Sequence, residues 1–419
     1  MSTNSAKMLS IKNIISHDVA KMIAVRAFGD DESIEIINHR LANYSKNTVG
    51  FLGNHQRLEI TVKKNKGDHE FVKLSFFVKS VPHDSSEQTF FIKQRRVFNQ
   101  ESEFFNEVLP QLLEITTVGK IEPWAPKCYL ANTDIIVLED VRTNGFTMRE
   151  IKIFKGEDLK SAVKAMARFH AASMLLEKKL GKPLNEVYPK VCVEQIFIEQ
   201  IMELTLDLLE SLIKDIAKRN KRTTSGVREH MERVYKYMIT GGQDKCRVLC
   251  HGDAWPNNLM LDSSEVPKCL LVDYQMVRYA PRMIDVIQLV YLSTTQEIRR
   301  CEERDVIEAY WDELCETLRK CNPTLKRPNL EDLMKEYDND VKSVAQLTAI
   351  IYFPIVLLNK EVFAEYKDHP EVLYKTLIFR RNNDYILELM DKDEDYSSRI
   401  TEIVLEFAEN CEKHKSSET

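Results

Sequence analysis

The feature that most constrains this chain is a polar turn, His251-Gly252-Asp253-Ala254-Trp255-Pro256-Asn257-Asn258, set between two short apolar runs. Arg247-Val248-Leu249-Cys250 leads into it; Lys268-Cys269-Leu270-Leu271-Val272 follows and ends at Asp273-Tyr274-Gln275. Apolar runs of this length, bounded by turn residues, read as buried strands. The fold must therefore carry two carboxylates and a carboxamide, those of Asp253, Asp273 and Asn258, at strand ends. A single Asp or Asn in such a place is ordinarily a turn or capping residue. Three at fixed offsets around two strands form a constellation, a far more specific signal than any one of them.

Length and charge set the frame. At 419 residues the chain exceeds what one hydrophobic core usually covers, and the expectation is two lobes, residues 1–140 and 141–419. A formal net charge of -6 and a pI near 6.0 argue against a nucleic-acid binder, which would show a basic domain. Nine cysteines, odd in number and never spaced C-x-x-C, argue against a disulfide framework or structural zinc and for reduced thiols. Met1 to Lys7 lack the apolar core of a signal peptide. The longest apolar run, Val344 to Leu358, contains Gln346 and Pro354 and is too short to span a bilayer. The expectation is a cytoplasmic protein with no nucleic acid and no membrane partner; the oligomeric state stays open, with a monomer favoured.

Periodicity places the turn within a longer order of parts. Arg57 to Val62 and Val72 to Lys79 alternate as strands, His83 to Gln88 reads as a loop, and Ile135 to Leu138 as a short buried strand. Between them Phe98, Glu101, Phe104, Phe105 and Val108 recur at helical spacing, with Pro110 as the helix boundary. After the Asn144-Gly145 turn the character becomes helical. Leu159 to Ser173 form one amphipathic helix, Val193 to Ala217 another, and the chain from Met283 onward is again helical. A small α/β part, a connector and a larger helical part holding the polar turn is a kinase-like order, with the site expected in the cleft between lobes.

H-x-D-x-x-x-x-N followed by a strand-borne Asp is the layout by which kinases hold a hydroxyl acceptor and magnesium-ATP. On that template Asp253 is the catalytic base, while Asn258 and Asp273 offer the oxygen ligands that suit Mg2+. Lys79, at the end of a Phe-Phe-Val strand, is the candidate phosphate-binding lysine, and Glu101 on the following helix its ion-pair partner; Lys73 and Glu103 compete. Gly50 and Gly53 stand where a phosphate-cradling loop belongs, although two glycines describe an ordinary turn equally well. His251 reads as structural, Trp255 as packing, and Asp285 as a helix-start carboxylate or a brace for the catalytic loop. Asp391 to Asp395 with Glu402 matches part of a calcium loop, but Tyr396 stands where the turn needs glycine, so an acidic inter-helix loop is expected.

The turn, with Val272-Asp273-Tyr274-Gln275, resembles the ecdysteroid kinase-like (CHK-kinase-like) family of arthropods, which groups with choline kinases and aminoglycoside phosphotransferases. Phe77-Val78-Lys79-Ser80-Val81-Pro82 resembles its lysine strand, and Phe98-x-x-Glu101-x-x-Phe104-Phe105-x-x-Val108-Leu109-Pro110 its helix. Leu138-Glu139-Asp140-Val141 resembles the interlobe hinge and Ala167-Arg168-Phe169-His170-Ala171 the next helix. The likeness spans roughly residues 30 to 410. It implies an α+β, protein-kinase-like two-lobe fold and ATP-dependent phosphorylation of a hydroxyl on a lipophilic small molecule, an ecdysteroid or a xenobiotic alcohol. Gly252, in place of the arginine of protein kinases, and Tyr274-Gln275, in place of Phe-Gly, fit kinases of small molecules; the glycine-poor loop is a departure. A choline- or aminoglycoside-type kinase is the alternative, with Tyr352 and Phe353 as aromatic contacts for a cation. A catalytically silent ligand-binding protein is another. The acceptor pocket is expected on the helices around Val193 to Ala217 and Val341 to Leu358.

Overall fold

The computed structural model describes residues 15–44, 53–63, 70–82, 89–90, 92–93, 96–199, 202–240, 245–366, 372 and 382–418. Gly50 and the expected 83–88 loop lie outside the described residues. The chain divides into two compact units, residues 1–110 with 125–147, and residues 111–124 with 148–419.

The first unit is a five-stranded antiparallel sheet in the order β1-β2-β3-β5-β4, made of β1 (Glu35–Asn43), β2 (Asn54–Lys63), β3 (Phe71–Ser80), β4 (Cys128–Ala131) and β5 (Ile135–Glu139). Side chains alternate across the sheet, so Leu58, Ile60 and Val62 share one face with Phe76, Leu74 and Val72, their register neighbours on β3, and with Val78. Helix α1 (His17–Ala27) covers that face with Ala20, Ile23 and Ala24. Burying each large apolar side chain there contributes roughly 1.5–3 kcal/mol. The same alternation turns Lys79 and Phe77 to the opposite face.

Pro110 does not end the helix that precedes it. Helix α2 (Val97–Glu103) passes through a π-turn (Phe104–Val108) directly into α3 (Leu109–Thr117), with the Leu109 N–H donating to the Phe104 carbonyl. A widened turn relieves the clash between a proline ring and the carbonyl four residues earlier, so the helix survives the proline.

The second unit is mostly helical. It comprises α4 (Gly156–Leu180), α5 (Leu184–Val187), α6 (Met202–Arg219), α7 (Val227–Thr240), α8 (Arg282–Ser293), α9 (Gln296–Cys321), α10 (Leu330–Glu336), α11 (Asn339–Val356), α12 (Lys360–Glu365), α13 (Asn383–Lys392) and α14 (Glu394–Glu418). Two short antiparallel pairs interrupt the helices, β6 (Arg247–Cys250) with β9 (Arg278–Pro281), and β7 (Leu259–Leu261) with β8 (Cys269–Leu271). The polar turn thus links one hairpin-like pair to the other. α6 begins at Met202 rather than Val193, because Glu194 accepts the Ile196 and Phe197 amides and closes a turn instead. The acidic 391–395 stretch is barely a loop: Asp393 alone separates α13 from α14 and caps it by accepting the Tyr396 amide.

All nine cysteines are free thiols. Among the described residues no helix is long and apolar enough to cross a membrane. A β-rich first unit followed by a helical second unit, with the polar turn between paired short strands, is the α+β, kinase-like order read from the sequence.

Candidate active site

In the first unit the side chains of Lys79 and Glu101 meet. Lys79 Nζ lies 2.7 Å from Glu101 Oε2, with side-chain exposures of 6% and 1%. Strand alternation brings the lysine to the face away from α1, and α2 sets the glutamate there. The ammonium also sits 5.5 Å from the centre of the Phe98 ring, a cation–π contact. Each charge of this buried pair offsets the desolvation of the other. Gly53, just before β2, lies against the lysine stem: a Cβ there would come within 3.2 Å of Lys79 Cγ. Lys73 and Glu103 do not form this pair.

In the second unit the turn after β6 is built on a buried carboxylate. Asp285, in the first turn of α8, accepts the amides of His251 (2.6 Å) and Gly252 (3.0 Å). Its Oδ2 also lies 3.2 Å from His170 Nε2 on α4, and His170 Nδ1 lies 2.8 Å from Tyr310 Oη on α9. Burial pushes the Asp285 carboxyl up, but His170, His251 and the Gly252 amide outweigh it and hold it below its usual range. Of the two structural readings of Asp285, bracing the loop is the one the geometry displays. Gly252 has φ +78°, and a Cβ on it would stand 2.0 Å from the Met276 carbonyl oxygen. Only glycine fits there.

His251 is fully buried, and burial lowers its pKa. A neutral ring with the proton on Nε2 donates to the Val272 carbonyl at 3.0 Å and accepts the Asp253 amide on Nδ1 at 3.3 Å. The imidazole thereby ties the turn to the end of β8. Trp255 is buried.

Asp253 is held on both of its carboxylate oxygens. Asn258 Nδ2 donates to its Oδ2 (2.9 Å) and to its backbone oxygen (2.8 Å), while Tyr352 Oη, from α11, donates to Oδ1 (3.0 Å). Burial raises its pKa to about 7; the Asp273 charge adds to the rise, and hydrogen bonds from Tyr352, Asn258 and Gln275 oppose it. Asp273 follows β8 in the left-handed region at φ +68°, an arrangement that costs roughly 1–2 kcal/mol in a residue with a Cβ.

The donor chemistry fits a hard divalent cation. Asn258 commits its amide nitrogen to Asp253, which turns its carbonyl oxygen to the outside of that grip, and Asp273 adds a carboxylate whose field reaches Asp253. Oxygen-only donors, with two like charges to neutralise, suit Mg2+. Behind them Gln288 donates to the Gly252 carbonyl (3.1 Å) and accepts from Arg278 (2.8 Å). His170 and Gln275 stood in stretches that resemble the family, but without an assigned role, and Gln288 carries no sequence signal beyond helix periodicity. Tyr352 was visible in the sequence as a candidate aromatic contact for a cationic acceptor, not as a partner of Asp253.

The Ecdysteroid kinase-like family matches residues 50–323. No curated protein matches the chain. Among solved structures it is similar to an ethanolamine kinase of Plasmodium vivax, at 13% identity, TM-score 0.38, and coverage of 88% of this chain and 92% of that one. It is also similar to a Ralstonia eutropha protein described as an aminoglycoside phosphotransferase (12%, TM-score 0.44, 94% and 98%). A third is the macrolide 2'-phosphotransferase of Brachybacterium faecium (10%, TM-score 0.35, 85% and 97%). These likenesses are distant, whereas the family match takes in the lysine strand, the helix glutamate, the polar turn and Asp285. This chain belongs to the Ecdysteroid kinase-like family.

Proposed function

We propose that this chain is an ATP-dependent small-molecule kinase that phosphorylates a hydroxyl of a lipophilic acceptor, an ecdysteroid or a xenobiotic alcohol. The observation that carries the reading is the grip of Asn258 on Asp253, which fixes a buried carboxylate and presents an amide oxygen beside it. Family membership supports the same reaction class.

Phosphoryl transfer asks little covalent chemistry of a protein: a group to take the acceptor's proton, cations to hold phosphate, and fixed positions for both. Asp253 takes the proton. Its raised pKa, near 7, makes the carboxylate a better proton acceptor than an exposed aspartate. Asn258 and Asp273 would hold Mg2+, which when bound neutralises phosphate charge. Lys79, kept in place by Glu101, would bind nucleotide phosphate, with the backbone amides of Gly50 and Gly53, which precede β2 in sequence, contributing. In this scheme residues 1–140 form the ATP-binding lobe and residues 141–419 the catalytic and acceptor-binding lobe. The protein would work in the cytoplasm, on small molecules, as a monomer.

A lipophilic acceptor is favoured over a cationic one by the end of α11, where Ile351, Ile355, Val356, Leu357 and Leu358 are half-buried and aliphatic. Glu194, the carboxylate that acts on Tyr352 besides Asp253, is already paired with Arg278 at 3.4 Å.

The test is phosphorylation of ecdysone and of choline by the full chain with magnesium-ATP, with mass analysis of products. Ecdysone phosphate is expected, and Asp253→Asn should bind magnesium-ATP but lose turnover. Product from choline alone would overturn the acceptor class, and full activity of Asp253→Asn would overturn the assignment of the base.

A further inference from the structure

Asp253 has a second neighbour that the family template does not require. Tyr352 lies in the last turns of α11, and its phenol donates to Asp253 Oδ1 at 3.0 Å while Asn258 occupies Oδ2 at 2.9 Å. Two donors on opposite oxygens fix the plane of the carboxylate. Burial, and then the Asp253 charge, push the phenol well above its usual range, so it keeps its proton and remains a donor. Yet Tyr352 is half-buried, in contrast to the buried Asp253 it touches.

The helix around it is pinned. Pro354, two residues on, lies inside α11, and its carbonyl accepts the Tyr396 hydroxyl of α14 at 2.9 Å. Phe353 points into the core, with the Arg399 guanidinium 4.9 Å from its ring centre, so it is not available to a ligand. The charged groups acting on the phenol are Asp253, Arg278 and Glu194. Arg278 is buried, spans Glu194 and Gln288, and through Gln288 reaches the Gly252 carbonyl. Arg278 thus answers Glu194, and the charge that remains beside the phenol is that of Asp253.

We propose that Tyr352 is the acceptor-positioning residue of this site: its phenol aligns the Asp253 carboxylate and stands beside the acceptor hydroxyl that donates to it. The proposal rests on the reading of Asp253 as the base. Each carboxylate oxygen has two acceptor positions, and Tyr352 uses one on Oδ1. An acceptor hydroxyl that donates to the other lands within reach of the phenol oxygen, which retains its own lone pairs. In the reaction the acceptor oxygen bonds to the transferred phosphorus, the bond from phosphorus to the nucleotide oxygen breaks, and the acceptor proton passes to Asp253. Tyr352 keeps its proton throughout. The half-buried aliphatic residues Ile351 and Ile355 on the same helix favour an apolar alcohol.

The experiment compares wild type, Tyr352→Phe, Tyr352→Ala and Asp253→Asn in the full chain, with ecdysone and with farnesol as acceptors. Slow magnesium-ATP hydrolysis, with water at the acceptor position, is followed in parallel. Tyr352→Phe keeps the ring and loses the hydroxyl. Its kcat with acceptor or water should fall about 10- to 100-fold, the size of a small misplacement of reacting groups, with the KM for magnesium-ATP and the melting temperature unchanged. Tyr352→Ala should move the ratio of kcat/KM for ecdysone over farnesol. Wild-type kcat in Tyr352→Phe would overturn the proposal, as would a loss that comes with a lower melting temperature and a higher KM for ATP. Wild-type turnover by Asp253→Asn would instead remove the base itself, a failure distinguishable from that of Tyr352.

Discussion

Replacing Gly252 by alanine separates backbone strain from collision, and the structure gives the size of both. The position has φ +78°, where an L residue costs about 1–2 kcal/mol. The added Cβ would also stand 2.0 Å from the Met276 carbonyl oxygen, at least 1 Å inside the distance that real Cβ atoms keep. The obstacle is backbone, flanked by the buried residues Gln275 and Val277, so no side chain can swing away to admit it. Overpacking of this kind adds about 1–3 kcal/mol. Gly252→Ala should therefore lose about 2–5 kcal/mol of stability. Gly181, at the end of α4, is the matched control: it has φ +68° in the same unit and nothing within 4 Å of its Cβ. Gly181→Ala should cost only the strain, about 1–2 kcal/mol. Urea unfolding of both variants measures the difference. A shift of about 1 Å beside Asp253 should also lower turnover of Gly252→Ala by about 100-fold, while Gly181→Ala keeps wild-type kinetics. Equal stability of the two variants would refute the claim that the Met276 carbonyl dictates glycine at 252.

Three further outcomes follow from the buried polar groups. Glu101→Ala strands the Lys79 ammonium and should destabilise the chain by about 3–5 kcal/mol in thermal unfolding, whereas the double change Lys79→Met with Glu101→Leu should recover much of it, because no uncompensated charge remains. Asp285→Ala leaves the His251 and Gly252 amides without their acceptor at about 1–3 kcal/mol each, and crystals of that variant should show a displaced 251–258 turn. Acid should weaken the fold through His251: its folded pKa lies below its unfolded value, so the unfolded chain binds the extra proton, and stability is lost as pH falls below about 6.5 toward the folded pKa. Unfolding midpoints at pH 7.5 and 5.5 should differ more in wild type than in His251→Asn.

Much of the fold was legible because its signals are local. Alternation in Arg57 to Val62 and Val72 to Lys79 fixed the strands, and with them the face on which Lys79 emerges. The helix spacing of Phe98 to Val108 placed Glu101, and the kinase template, with Lys73 and Glu103 as competitors, pointed to an ion pair 22 residues apart in sequence. The misreadings are local rules overridden by context. Proline ordinarily closes a helix, but a π-turn just before Pro110 keeps it running. Val193 to Phe197 has helical periodicity, yet Glu194 satisfies two amides itself and engages Arg278, and this arrangement wins over continuation.

The environment of Asp253 was legible only in part, because it is assembled from distant sequence. Asn258 is five residues away, and its offset is a recognisable motif. Tyr352 is 99 residues away, and His170, which meets Asp285, and Tyr310, which meets His170, lie on other helices. A motif records which groups meet a ligand. It does not record what tunes them, since any helix that delivers a donor to Oδ1 would serve. The raised pKa of Asp253 follows from that second kind of contact: burial and Asp273 lift it, and three neutral donors restrain it. Removing a restraining donor should therefore raise it further, so the two faces of the carboxylate carry opposite demands, basicity on one and alignment on the other. A neutral donor such as Tyr352 meets both, because it orients the carboxylate without placing a cation against it.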